Sequence, residues 1–533
     1  MFCSNCGSQI PDGARVCPGC GTPVAAEAAE VTVAAPNPSP DLKNQAAEFI
    51  GGSINSAAES VKKRDFKSLL KNKLVIAAAA LIIVIVVLII IIANASGSSS
   101  APFAIAENQI DQFYTEDYTT VLFYNGQQIK PELEGSNVTV YSNNAKTSVY
   151  VTNDNILYVL SDGKLKEVCD DCSMLGVAGF GSAAFYTSDE TLYVYDNGKS
   201  KRITDLDNYP YYFVISPDGS ACAWTAYESE YCGFAWAGSK VAELGEMNRV
   251  LSVTNGGDLI YCITENSKLG YIKGMSDDIE TIKPINNVRA LSADNRQVMF
   301  DNGSSTYIFG TSMDEPIRLD KGYVDIIMPE NGYYTANNFD NFVGVCDSDI
   351  KRYIRKGDDY PDPLMLAEDT YTRMISADGK NILYYSNGKM VKRGTESEQS
   401  TKTTVAKDVY SDFVTDANFN NIFYVNNSYE LEHSNGKTGG IATVYDNGNV
   451  DSLALSTSGV CTFIYDYSGG EGSAAYSASG GGKQKCSGVS SLYRFINRST
   501  MTTQKYIFAL NSDDELYVSS DGKNFTNTKI VIY

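Results

Sequence analysis

From Leu74 to Ala93 the chain reads LVIAAAALIIVIVVLIIIIA, a run with no charged residue. As an α-helix rising about 1.5 Å per residue it spans roughly 30 Å, the thickness of a bilayer's hydrocarbon core. The run predicts one membrane-crossing helix, which divides the 533 residues into a short N-terminal part and a long C-terminal part in different solvents. Before it stand Lys62, Lys63, Arg64, Lys67, Lys71 and Lys73; after it, Ser96 to Phe103 carry no charge, and Glu107 is the first charged residue met. Basic residues resist translocation, so the N-terminus is expected in the cytoplasm and the rest outside it. The rival is a cleaved signal peptide, for which Ala93-Asn94-Ala95 has the small-residue pattern. A signal's apolar region is about 7–15 residues long and close to the chain start, whereas this run is longer and begins after 73 residues. An uncleaved single-pass anchor is the favoured reading.

The charge follows the same division. The chain has 43 Lys and Arg against 64 Asp and Glu, a net of −21. Residues 1–73 hold 8 basic and 7 acidic residues, leaving 35 and 57 in the exported part, a net of −22. Such a surface repels nucleic acid at long range, so no nucleic-acid partner is expected there. Cations, basic proteins and neutral glycans remain as partners, and solubility alone is the favoured account of the charge.

The N-terminus reads MFCSNCGSQIPDGARVCPGCGTPV. Cys3 and Cys6 form one C-x-x-C pair and Cys17 and Cys20 a second. Each pair on a tight turn offers two thiolates to one edge of a tetrahedral metal, and the loop between them brings the pairs together. Gly7 and Gly21 follow the second Cys of each pair, where the backbone must turn sharply. A disulfide pair and a redox C-x-x-C are the competing readings. A cytosolic location disfavours the first, and no βαβ pattern supports the second. The segment resembles the small zinc ribbon found at the N-terminus of many bacterial membrane proteins. The resemblance implies one structural Zn2+ held by Cys3, Cys6, Cys17 and Cys20, with no open catalytic position, in a fold that depends on the metal. It also implies a protein-binding role for the ribbon.

Residues 25–73 read as a linker and a basic juxtamembrane segment. Its first part is rich in Ala and Pro, and its second interleaves Ile54, Val61, Phe66, Leu69 and Leu70 with lysines, as in a helix lying on anionic headgroups or one extending the membrane span. Residues 94–102 form a short spacer.

Residues 103–533 are too many for one ordinary core unless the fold repeats. Four segments join a β-rich run to an Asp-Gly or Asn-Gly hairpin turn: LYVLSDGK at 157, LYVYDNGK at 192, LYYSNGK at 383 and LYVSSDGK at 516. A second signature is ISPDGSACAW, with partners VTNGGDLIYC, LSADNRQVMF, ISADGKNILYY and VTDANFNNIFYV. Its Ser or Thr positions are 216, 254, 292, 376 and 415, at intervals of 38, 38, 84 and 39. The long interval has room for a divergent unit around Pro329. A strand-and-turn repeat of about 40 residues is the spacing of a β-propeller blade. The turn Ser216-Pro217-Asp218-Gly219 with its following apolar strand resembles the TolB-type propeller repeat, although Ala293 and Ala377 replace the proline and Asn295 a glycine elsewhere. The expected fold is all-β, a seven- or eight-bladed propeller preceded by one transmembrane helix and a zinc ribbon, with strands from both chain ends closing the ring. Stacked sandwiches and a β-helix fit the period less well.

No residue set announces a reaction. His433 is the only histidine and precedes Ser-Asn-Gly-Lys, so it is expected as an exposed turn residue. There is no G-x-S-x-G elbow, and the Gly-rich stretch 468–488 lacks the Walker spacing. Asp358, Asp359 and Asp362, and Asp205 with Asp207, are loop acids without the spaced calcium-loop pattern. Cys169 with Cys172 and Cys461 with Cys486 can form disulfides in an oxidising compartment or remain buried thiols. Tyr209, Tyr211, Tyr212, Tyr227 and Tyr231 fall at strand ends and offer stacking platforms for sugars or peptides. The expectation is a non-enzymatic, membrane-anchored protein that binds a protein or glycan partner outside the cytoplasm. A transmembrane sensor and a carboxylate-dependent envelope enzyme are the alternatives.

Overall fold

The computed structural model describes residues 103–532, apart from 106–108, 136, 143–148, 162, 179–181, 197, 228, 330–331, 447–448, 469–470, 478–482 and 494–502. The chain divides into two compact units, Met1–Ser99 and Ser100–Tyr533. The first, with the cysteine pairs, the basic segment and the 74–93 run, lies outside the described residues. No helix among the described residues is long and apolar enough to cross a membrane.

Turn chemistry decides where the strands begin. In the turn after Tyr211–Ile215, the Ser216 hydroxyl donates to Asp218 Oδ1 at 3.0 Å and accepts from the Ala221 N–H at 3.0 Å. The same Asp218 oxygen accepts the Ser220 N–H at 2.9 Å. Ser292 with Asp294 and Ser376 with Asp378 repeat this arrangement, and each hydroxyl again accepts an N–H five residues on. Only a short side chain that both donates and accepts can serve two backbone and side-chain partners in so tight a bend, which is why Ser or Thr recurs there. Gly219 holds φ +74, and a Cβ on it would come within 2.5 Å of Ser182 in the preceding blade. The turn therefore sets the spacing between blades as well as the reversal.

Each turn of this kind joins the first and second strands of a four-stranded antiparallel sheet. In the fourth blade these strands are Tyr211–Ile215, Ala221–Tyr227, Tyr231–Ala237 and Lys240–Glu246, paired in sequence order. Nine four-stranded sheets and one seven-stranded sheet follow one another along the described residues. The all-β propeller expected from the sequence is present, but it has ten blades rather than seven or eight. Counting signature turns misses blades, because the sequence lacks the full signature before the second strands of the first, second, third and seventh. The tenth uses Ser456 with Ser458, whose hydroxyls lie 2.8 Å apart, instead of Ser and Asp. The long interval between Ser292 and Ser376 holds the seventh blade, whose first and second strands are Val324–Ile326 and Asn341–Cys346. The connection between them carries a short strand, Gly332–Tyr334, paired with Phe103–Ile105. The Asp-Gly and Asn-Gly hairpins do not mark one repeated position: those at 161–164 and 196–199 join third and fourth strands, and that at 386–389 joins second and third.

Burial runs in a gradient across each blade. The second strands, such as Leu259–Ile263, Gln297–Asp301 and Ile422–Asn426, are buried along their whole length, while fourth strands such as Lys199–Asp205 are mostly exposed. First strands of successive blades touch one another, which places them innermost. The apolar clusters lie between blades: Leu192 and Val194 of the third pack with Cys222, Trp224 and Trp236 of the fourth. Ala223 and Leu244 of the fourth pack with Val250 and Ile260 of the fifth. A blade alone would leave both faces of its second strand in water, so the stack is stable only as a continuous series.

The first and tenth blades supply the closure by packing against each other as separate sheets, rather than by the sheet mixing strands from both ends that the sequence suggested. Phe113 and Phe123 of the first blade pack on Phe508 at ring separations of 5.0 Å each, and Thr115 bridges to Ile532. The buried Gln109 side chain reaches the Tyr506 backbone at both ends of its amide, donating to Tyr506 O at 2.8 Å and accepting the Tyr506 N–H at 2.9 Å. Gln109→Ala leaves these backbone groups unpaired and is expected to lower stability by about 1–3 kcal/mol, read as a lower urea midpoint with an unchanged slope. Asp521 supplies a second test. Burial raises its pKa, but hydrogen bonds from the Asn524 and Lys523 N–H groups, the Asn524 side chain and Ser519 outweigh this and hold it well below the ordinary carboxylate value. Its contribution to stability is therefore present above about pH 4, the usual aspartate range, and lost as the pH falls below it. Asp521→Asn should flatten that part of the acid-unfolding profile.

Candidate functional site

Because the strands of a blade alternate in direction, each blade has two ends. One carries the bends between first and second strands, including the Ser-Asp turns; the other carries the second-to-third hairpins and the connections to the next blade. Nine tyrosines among the described residues are exposed. Tyr118 alone lies at the Ser-turn end, in the bend between Ile110–Tyr114 and Thr119–Tyr124. Tyr209, Tyr211, Tyr212, Tyr227, Tyr323, Tyr371, Tyr410 and Tyr429 all fall at the opposite end, in blade-to-blade connections, at the outset of first strands or at second-to-third hairpins.

Local backbone geometry supports this segregation. The pairing of first and second strands slips between Tyr211 and Val214, between Tyr371 and Arg373, and between Val409 and Phe413. A bulge of this kind kinks a strand and re-aims its side chains. Tyr212 and Thr372, inside two of these bulges, both hold φ at 48°, an uncommon backbone conformation for such residues.

The five tyrosines anticipated from the sequence come together. Tyr209 stands edge-on to Tyr211 at 4.8 Å, and Tyr211 to Tyr231 at 5.9 Å. Tyr231 also meets Tyr212 at 6.1 Å and Tyr227 at 5.0 Å. Tyr186, which the sequence did not single out, joins from the third blade at 5.5 Å from Tyr209. It belongs to Ala183–Thr187, and only the stacking of one blade on the next brings it there. Tyr209, Tyr211, Tyr212 and Tyr227 are 41–50% exposed, so the cluster is held by ring contacts while its rings stay open to a partner. In the same blade Trp224 stacks between Phe213 and Phe234 at 6.2 and 5.9 Å, and Tyr186 packs against the apolar cluster that contains Trp224.

Other candidates resolve differently. His433 is not a turn residue: it lies within the strand Leu431–Ser434, half-buried, with its ring 4.5 Å from Phe423 and Nε2 3.4 Å from Asn421 Oδ1. Burial lowers its pKa. The strand continues through Ser434, so the turn begins one residue later than the Ser-Asn-Gly-Lys pattern suggests. The Asp205 carboxylate is held by Arg202 and bonded to Thr191 at 3.0 Å, and Asp358 lies 3.6 Å from Arg355, so both acidic loops are partly neutralised by arginine. Cys169 and Cys172 are free thiols, and burial raises the pKa of both. Cys461 is a free, fully buried thiol, so neither anticipated disulfide is present. The side chains of the Gly-rich stretch, Cys486 among them, lie outside the described residues.

Among the described residues one group of carboxylates stands close enough to share a cation: Glu230, Glu246 and Glu265, all exposed, with oxygens within 4.8 Å of one another. Hydrogen bonding to Glu265, then its charge, raises the Glu246 pKa. Three separated segments supply this trio, which is why no local pattern revealed it.

Cys3, Cys6, Cys17 and Cys20 lie outside the described residues. A family model described as a zinc-ribbon domain matches residues 2–24, so the chain carries a zinc-ribbon domain there, and the match includes all four cysteines. No curated protein matches the chain. Four thiolates in two C-x-x-C pairs suit a soft, tetrahedral divalent metal and fit Zn2+. Purified chain is expected to carry about one zinc, the number four thiolates hold, and Cys17→Ser should lose it, as read by metal analysis with a thiol-release assay.

Proposed function

We propose that this protein is a non-enzymatic, single-pass membrane protein whose propeller lies outside the cytoplasm and binds a protein or glycan partner, with a structural zinc ribbon on the cytoplasmic side. The observation that carries the reading is the gathering of exposed tyrosines at one end of the propeller. Tyrosine supplies a large, stiff, amphipathic contact area, and contiguous exposed aromatic surface marks interaction sites. The placement of these rings at strand ends and connections of a propeller suits recognition by a rigid scaffold. The apolar run at 74–93 and the lysines before it support the anchor and its orientation.

The test combines topology with site-specific capture. A membrane-impermeant protease added to intact cells is expected to digest residues beyond 94 and spare the ribbon. A photo-crosslinking aromatic residue at Tyr211 should capture a discrete partner that the same residue at Tyr118, on the opposite end, does not. Protection of the propeller from protease, or equal capture at both ends, would overturn the proposal.

A further inference from the structure

We infer that the tyrosine cluster binds a cationic segment of a partner protein, a lysine- or arginine-bearing chain whose charged groups sit between the rings and the Glu230, Glu246 and Glu265 carboxylates. The inference rests on the binding role proposed above and names the chemistry of the partner.

The tyrosines and the carboxylates belong to one surface. Glu230 precedes Tyr231 in the chain, and Tyr231 opposes Tyr227 across the second-to-third hairpin of the fourth blade. Glu246 ends the fourth strand of that blade, opposite Cys232, the residue after Tyr231, and the Met247 N–H donates to Tyr231 O at 3.0 Å. Glu265 lies in the equivalent hairpin of the fifth blade, between Leu259–Ile263 and Lys268–Lys273. All three acids therefore occupy the same end as the rings.

Charge decides the occupant. Like charges so close repel, and among the described residues no lysine or arginine forms an ion pair with any of the three. Asp205, at the same end of the preceding blade, differs in this respect, with Arg202 beside it. The faces of tyrosine rings carry negative potential and attract ammonium and guanidinium groups. Rings and carboxylates thus favour the same ligand charge, and the net −21 of the chain attracts such a partner from a distance. A neutral glycan would use the rings and leave the carboxylates uncompensated; an acidic partner would be repelled.

The test uses the full-length chain and a labelled octa-arginine peptide, measured by anisotropy at physiological ionic strength. Three variants are compared: Glu230→Gln/Glu246→Gln/Glu265→Gln, Tyr227→Ala/Tyr231→Ala, and a control that removes the same charge at the opposite end, Glu116→Gln/Asp117→Asn/Glu315→Gln. Each of the first two is expected to weaken binding by roughly tenfold, and the control by less than about twofold, since screened charges act weakly at a distance. Equal weakening by the trio and the control would reduce the effect to net charge and overturn the inference. So would calcium chloride alone displacing the peptide at micromolar concentration, which would make the trio a metal site. A neutral N-acetylglucosamine hexamer serves as the second probe. If it binds the wild type, loses binding in the tyrosine variant and keeps it in the glutamate variant, the tyrosine surface stands and the cationic ligand falls. If the tyrosine variant matches the wild type with both probes, the binding role of this surface falls as well.

Discussion

A blade of this propeller cannot satisfy its own apolar residues. The second strands are buried along their length only because a neighbouring blade covers each side, as Cys222 and Trp224 are covered by Leu192 and Val194. A linear series of such blades would end in two bare faces. The molecule avoids this by bringing its first and tenth blades together, with Phe113 and Phe123 against Phe508 and the Gln109 amide on the Tyr506 backbone. Joining the first and tenth blades covers the exposed faces, while each blade keeps its short outer edge strand. The position of every other blade follows from that closure.

The two ends of the blades then have different freedoms. At one end the bends are fixed by Ser and Asp side chains bonded back to the backbone, and adjacent bends bond to one another, as where the Asp218 N–H donates to Asn255 Oδ1 at 3.1 Å. Residues there are committed to geometry. At the other end are the connections between blades and the bulged strand starts, and that is where the exposed tyrosines collect.

The repeat was legible because its turn chemistry is local: Ser216, Ser292 and Ser376 each bond within five residues, so the sequence displays the whole device. The blade count was not, because Ser456 pairs with Ser458 rather than an aspartate, and the same bend can be made in several ways. The tyrosines from 209 to 231 were visible as a dense stretch, whereas Tyr186 reaches them only through blade stacking. Glu230, Glu246 and Glu265 come from a hairpin, a strand end and the next blade's hairpin, a convergence that depends on three-dimensional register. His433 was misplaced because an Asn-Gly pattern locates a turn to within a residue or two, and one residue separates a strand interior from a bend.

The pairing of Gln109 with Tyr506 links positions 397 residues apart. Loop-closure entropy of that size is met only after most local strand pairing has formed, and proteins dominated by such distant contacts fold slowly. During synthesis the first blade has no neighbour on one side until the chain beyond Tyr506 has been made, so Phe113 and Phe123 stay open to solvent through nearly the whole of elongation. The cell must therefore keep an apolar sheet face from sticking elsewhere for the tens of seconds that several hundred residues take at roughly 5–20 residues per second. The same delay holds the polypeptide in an unfinished, pliable form until its last strands arrive.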